Sequence, residues 1–102
     1  MARTVSWTEC ALHDLDDAAQ FIAHDSKFYA KAFVRETRLA ALSLRHFAER
    51  GRVVPEIGDL DIRELIVRRY RLIYTLEGRH KVLVVRFIHG SRDLSRLLDD
   101  KE

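Results

Sequence analysis

Three apolar runs, "IRELIV", "YRLIYTLE" and "KVLVVRFIH", follow one another with only "RR" and "GRH" between them. Each is rich in β-branched and aromatic residues, which suit a pleated, half-buried surface. Links this short leave no room for a crossover, so neighbouring runs must be antiparallel, and the three are predicted to form an uninterrupted meander. Whatever else the chain builds has to be arranged around that sheet.

The segment before the meander reads differently. "TVSW" alternates Val5 and Trp7 with Thr4 and Ser6, a short strand with one buried side. Thr8 can cap a helix, with Glu9 in its first turn where the helix dipole favours negative charge. Leu12, Leu15, Ala19 and Ile22 then form an apolar stripe, leaving Asp14, Asp16 and Asp17 on a solvated face. The period breaks near "HDSKF", where Asp25 or Ser26 can cap a second helix with a seam of Phe33, Thr37, Ala40, Leu44 and Phe47. Lys31, Arg35, Arg38 and Arg45 fall mostly outside that seam, and Gly51 stands as a C-cap. Helices joined so briefly pair as an antiparallel hairpin. "GRVVPEIGDLD", with the only proline, is expected to be a loop. The expected fold class is therefore α+β: an N-terminal strand, an antiparallel helical hairpin, then a three-stranded antiparallel meander, in one domain over residues 1–102.

Composition narrows the function classes. With 102 residues, 47% apolar and 33% charged, the chain has the balance of a compact soluble domain. No run reaches the length that spans a bilayer and "MARTVSWTEC" has no apolar signal core, so a cytoplasmic protein without membrane contact is expected. The one cysteine, Cys10, is expected to be a small buried hydrophobe. Histidines 13, 24, 46 and 80 are scattered without metal-ligand spacing, so neither metal nor cofactor is expected. Charge is uneven: residues 1–50 balance seven basic against seven acidic side chains, whereas residues 62–92 hold eight against two. That field suits a polyanion or an acidic protein segment, or serves only to discourage strand pairing at a sheet edge.

Alternation along the last two runs makes both faces of the meander apolar. Tyr70, Leu72, Tyr74 and Leu76 oppose Arg71, Ile73 and Thr75; Leu83, Val85, Phe87 and His89 oppose Val82, Val84, Arg86 and Ile88. One hairpin covers one face, so the other is expected to be partly bare and to receive an amphipathic segment from a partner, its anionic residues meeting the arginines.

The element order, with "VSWTECALHDLDDAAQFIAHDS", "RELIVRRYRLIYTLE" and "VVRFIHGSRDL", resembles the RelE/ParE superfamily of bacterial toxins over nearly the whole chain. The more specific residues are Arg63, Glu64 and Leu65, then Tyr70, Arg71 and Tyr74, then His89, Gly90, Arg92 and Asp93. The resemblance implies a toxin held inactive by a small antitoxin that wraps it.

It also implies one of two mechanisms. RelE-like members cut messenger RNA on the ribosome; ParE-like members poison DNA gyrase. Metal-free cleavage needs groups to deprotonate the 2′-hydroxyl, stabilise the phosphate and protonate the leaving oxygen. On the RelE-type pattern Arg63, Arg71 and Arg92 match cationic positions, but Leu65 stands for the second lysine and Leu98 near the C-terminal tyrosine. His89 is the remaining proton-transfer candidate. Its alternation places it beside Leu83, Val85 and Phe87, which favours a hydrogen-bonded structural role over catalysis or partner contact.

The resulting expectation is a ParE-like toxin that binds and poisons DNA gyrase and is neutralised by a ParD-like antitoxin, in a heterotetramer that reaches operator DNA only through the antitoxin. Contacts with antitoxin or target are expected at Arg63, Arg71, Ile73, Arg86, Arg92 and Leu94. The alternative is a ribosome-dependent endoribonuclease using Arg63, Arg71, His89 and Arg92; a third reading is a non-toxic relative that only binds its antitoxin.

Overall fold

A computed structural model describes residues 2–92. Its elements are β1 (Thr4–Trp7), α1 (Glu9–Ala23), α2 (Lys27–Leu42), a 3-10 turn at Ser43–Arg45, β2 (Arg52–Val53), β3 (Ile62–Val67), β4 (Tyr70–Glu77) and β5 (Lys81–His89). The strands form one sheet in the order β1-β5-β4-β3-β2, antiparallel except for β1, which runs parallel to β5. The helical hairpin lies across one face. No described helix is long and apolar enough to cross a membrane.

Side-chain caps start both helices. Thr8 Oγ accepts from the Ala11 amide at 3.0 Å and Ser26 Oγ from the Tyr29 amide at 3.2 Å, satisfying donors that have no intrahelical partner. Helix α1 buries Ala11, Leu15 and Ala18, so its inner stripe is rotated by one position from the predicted one and Leu12 is half exposed. Two alanines let the helix lie close on β5. Because Ala11 takes the core position, Cys10 beside it is exposed rather than buried. Helix α2 buries Ala30, Phe33, Thr37 and Ala41. It ends at Leu42, earlier than the seam predicts, and the 3-10 turn redirects the chain so that Leu44 is buried and Phe47 is not.

Gly51 is not a C-cap, and its small size answers to tertiary contact instead. A Cβ there would lie 2.5 Å from the Tyr74 hydroxyl and 2.7 Å from the Glu64 carbonyl oxygen. The predicted loop also contains β2, which pairs Arg52 with Glu64 and Val53 with Arg63. Two residues carry no readable period; the partner strand defines them.

The second face of the sheet is not left for a partner, as alternation suggested. Val54 folds over it and forms a buried cluster with Ile73 and Ile88, flanked by Ile57, Ile62 and Val85. A tight turn, with the Ile57 and Gly58 amides both donating to the Val54 carbonyl, keeps this flap in place. Alternation itself is interrupted: Ile73 pairs with Arg86 but Tyr74 with Val84, so Val85 is a bulge. The bulge moves Val82 and Val84 into the core with Phe87 and sends Val85 to the opposite cluster. Under the helices the core is closed by Phe33, Tyr70 and Phe87, with ring centroids 5.0–5.8 Å apart.

Candidate functional site

The arginines of the meander are mostly committed within the fold. Arg71 donates from Nε to Glu64 at 2.6 Å and forks onto Glu56 at 2.7 and 2.8 Å, with only 6% of its side chain exposed. Arg52 completes the network on Glu64. This geometry satisfies a buried guanidinium at both ends. Its hydrogen bond from Arg71 holds the Glu56 carboxyl at about 2 against an ordinary 4.5, and the same bond raises Arg71.

Arg86 is likewise paired, to both oxygens of Asp14 at 2.8 and 3.2 Å, and this hydrogen bond raises its pKa. Asp14 therefore does not belong to the solvated face on which the helix period places it. Arg63 spends its donors on the carbonyls of Leu60, Glu49 and Gly51 at 3.0–3.3 Å. Ile73 is buried beneath the Val54 flap. Leu94 and Leu98 lie outside the described residues.

The four residues of the nuclease pattern do not converge. Arg63 pairs with Tyr74 and His89 with Tyr70, four residues apart along β4, which is about 13 Å at strand rise. Arg71 pairs with Ile88 on the far side of the sheet from the Tyr70 and Phe87 rings, its charge matched by two carboxylates. Leu65 is buried in the core. His89 is exposed at the end of β5, its ring edge-on to Tyr70 at 5.4 Å and Nδ1 2.8 Å from the Ser91 hydroxyl. It shares a shallow depression with Asp17, Phe21 and the exposed Arg92. Among the described residues no three His, Cys, Asp or Glu side chains gather into a metal site.

A second, larger concavity among the described residues lies along the helical hairpin. This open groove, of about 930 Å³, has an apolar floor built from Val5 and Trp7 of β1, Ala19 and Ala23 of α1, and Ala30 and Val34 of α2. Along its α2 wall stand Lys27, Lys31, Arg35 and Arg38, all exposed. The sequence carried that signal as a basic row four, four and three residues apart, but a row beside an apolar seam also fits a solvated helix face. Phe21, Phe28 and Tyr29 add exposed aromatic surface near the hairpin turn.

Comparison with known proteins follows the same fold. No curated protein matches the sequence. Among solved structures, the chain is similar to one from the chromosomal ParDE TA system of P. aeruginosa, with a TM-score of 0.70 and 18% identity over 86% of this chain and 96% of that one. At that identity the likeness is one of fold. The model of the ParE toxin of the type II toxin-antitoxin system parDE matches residues 5–94, from the buried side of β1 through the whole meander. With strand, hairpin and meander all inside that match, the chain belongs to the ParE toxin family.

Proposed function

We propose that this chain acts by binding DNA gyrase and poisoning it, and that a ParD-like antitoxin neutralises it. The observation that carries a binding rather than a cleaving mechanism is the pairing of Arg71 with Glu56 and Glu64. A guanidinium already balanced by two carboxylates has little charge left for a pentacoordinate phosphate. Arg63 is similarly spent on backbone carbonyls, and the position of the second lysine holds a buried leucine. The antitoxin reading is supported by family membership and by the apolar surface left open on the hairpin. In this reading toxin and antitoxin assemble as a heterotetramer in the cytoplasm, and operator DNA is reached through the antitoxin alone.

The direct test adds the purified chain to gyrase and relaxed plasmid. Loss of supercoiling with accumulation of cleaved DNA is the expected result. Unimpaired supercoiling, together with rapid loss of translation and cut transcripts in cells expressing the chain alone, would transfer the protein to the ribosome-dependent nucleases.

A further inference from the structure

Three stretches far apart in sequence meet at the end of the sheet where β4 turns into β5. The Arg3 amide, just ahead of β1, donates to the Arg45 carbonyl of the 3-10 turn at 2.9 Å, while the Arg3 guanidinium donates to the Gly78 carbonyl at 3.1 Å. Arg79 and His80 follow in that strand turn, and the His80 carbonyl accepts the Thr4 amide at 2.8 Å. Beside them Arg3, Arg45, His46, Phe47, Glu49 and Arg50 line a hollow of about 390 Å³.

Positive charge at this end is held in place without being neutralised. Arg52, Arg71 and Arg86 spend theirs on carboxylates. Arg3 and Arg50 are oriented by neutral acceptors instead, the Gly78 carbonyl and, at 2.6 Å, the Ser43 hydroxyl, so most N–H donors of each fork stay available. Arg45 and Arg79 are exposed, and neither is in an ion pair with a described residue. Glu77 already meets Lys81 at 3.8 Å, which leaves Glu49 as the carboxylate of the hollow. Guanidinium groups gathered from three segments raise a field over one small surface that attracts a polyanion.

The surroundings decide which polyanion fits. An acidic protein helix docks through an apolar stripe as well as charge, and here the apolar lining is Phe47 with the buried Ala48. Single strands are gripped by several rings on which successive bases stack, whereas this surface sets one exposed ring among four guanidinium groups. A duplex presents the denser charge, about one phosphate per 1.7 Å of axis, and arginine forks match phosphate oxygens two at a time. We propose that this end of the sheet, through Arg3, Arg45, Arg50 and Arg79, binds the phosphate backbone of duplex DNA without reading its sequence. Operator recognition stays with the antitoxin. If the function proposed above holds, and this clause alone rests on it, the duplex is the segment that gyrase carries.

The probe is a fluorescein-labelled duplex of about 20 base pairs and arbitrary sequence, titrated with the whole chain and followed by anisotropy. Affinity is expected to fall about 40- to 150-fold between about 50 and 200 mM salt, as three or four neutralised phosphates require. The double variant Arg45→Glu, Arg79→Glu changes two exposed side chains and should bind at least about tenfold more weakly at the lower salt, with a salt slope reduced by about two. Arg68→Glu, Arg69→Glu makes the same charge change at the other end of β4 and should bind as the parent does. Circular dichroism establishes that both fold, and Arg45→Gln, Arg79→Gln supplies a milder change in the same direction.

Failure to bind the duplex at low salt, or equal weakening by the two charge reversals, would overturn the proposal, since net charge rather than this surface would then account for any affinity. So would tighter binding of a single-stranded RNA of equal length, or equally effective displacement of the duplex by polyglutamate of the same charge. The supercoiling assay separates this site from the gyrase reading. A chain that binds duplex yet leaves supercoiling intact removes gyrase and keeps the site; poisoning by a chain with no duplex affinity of its own removes the site and leaves the gyrase reading standing.

Discussion

Asp14, in the middle of α1, holds Arg86 of β5 with both carboxylate oxygens and also accepts the Phe87 amide at 2.9 Å. The contact lies where β1 has run out: Trp7 pairs with Val84, and beyond that point no described strand lies beside the outer edge of β5. Thr8 takes the Val85 carbonyl through its hydroxyl, and Asp14 takes the next outward amide. A helix thus completes a sheet edge.

Asp14→Ala strands a largely buried guanidinium and a backbone donor together, and is expected to destabilise the fold by about 2–4 kcal/mol. Asp14→Asn retains an oxygen for the Phe87 amide and should cost about half as much. Urea denaturation of the two variants beside the parent checks the order; equal losses would mean that the amide contact contributes nothing.

Acid should act on the Glu56–Arg71 pair in a defined window. The Glu56 pKa is lowered in the folded state, so its contribution is fully present above the unfolded value near 4.5 and is lost as pH falls through about 2. The whole shift would amount to about 3 kcal/mol, but water reaches this carboxylate and screening reduces it to about 1–2 kcal/mol. Glu56→Gln should lower stability by about that amount at neutral pH and flatten its dependence between those limits. Denaturation midpoints followed from pH 6 to 2 would reveal parallel curves if the pair were inert.

Tyr74 and Gly51 should behave as a coupled unit. The buried hydroxyl donates to the Ala48 carbonyl at 2.7 Å and accepts from the Gly51 amide at 3.0 Å, and burial pushes its pKa up. Gly51→Ala drives a methyl into that hydroxyl and into the Glu64 carbonyl, with an expected loss of about 2–4 kcal/mol. Tyr74→Phe removes one obstacle at the expense of two hydrogen bonds. The double variant should therefore be less damaged than the sum of the single ones, by about 1 kcal/mol in a thermodynamic cycle.

Arg68 sits at φ 56° in the link between β3 and β4, a conformation suited to glycine, and its ion pair with Glu36 is exposed. Arg68→Gly is expected to stabilise the protein by about 0.5–1 kcal/mol, the relieved strain outweighing a weak surface pair. Thermal unfolding would register this as a rise of roughly 2–8 °C.

His89→Ala changes an exposed ring whose described contacts are Tyr70 and Ser91. Its stability should stay within about 0.5 kcal/mol of the parent. Under the binding mechanism, growth arrest and cellular protein synthesis follow the parent. A translation rate that recovers in the variant would point to proton transfer by this imidazole.

Much of the frame was legible because it is written locally. Thr8 and Ser26 cap through neighbouring atoms, and the three long runs carry their own period. What escaped depends on distant residues. The bulge at Val85 shifts alternation by one position without any glycine or proline to mark it, and so placed Val82 and Val84 on the wrong face. The two residues of β2 are a strand only because Arg63 and Glu64 lie opposite. Arg71 looked free because Glu56 and Glu64 are 15 and 7 residues away in sequence, and the ion network has no periodic signature.

The pairing of β1 with β5 brings together the two ends of the described chain, with the Thr8 hydroxyl meeting a carbonyl 77 residues later. The sheet therefore stays unfinished on the ribosome until β5, the last described strand, emerges, and the loop-closure cost falls late in synthesis. Over most of its elongation the nascent polypeptide has no docked β1, so a message truncated before β5 encodes a chain that lacks the pairing partner of its first strand.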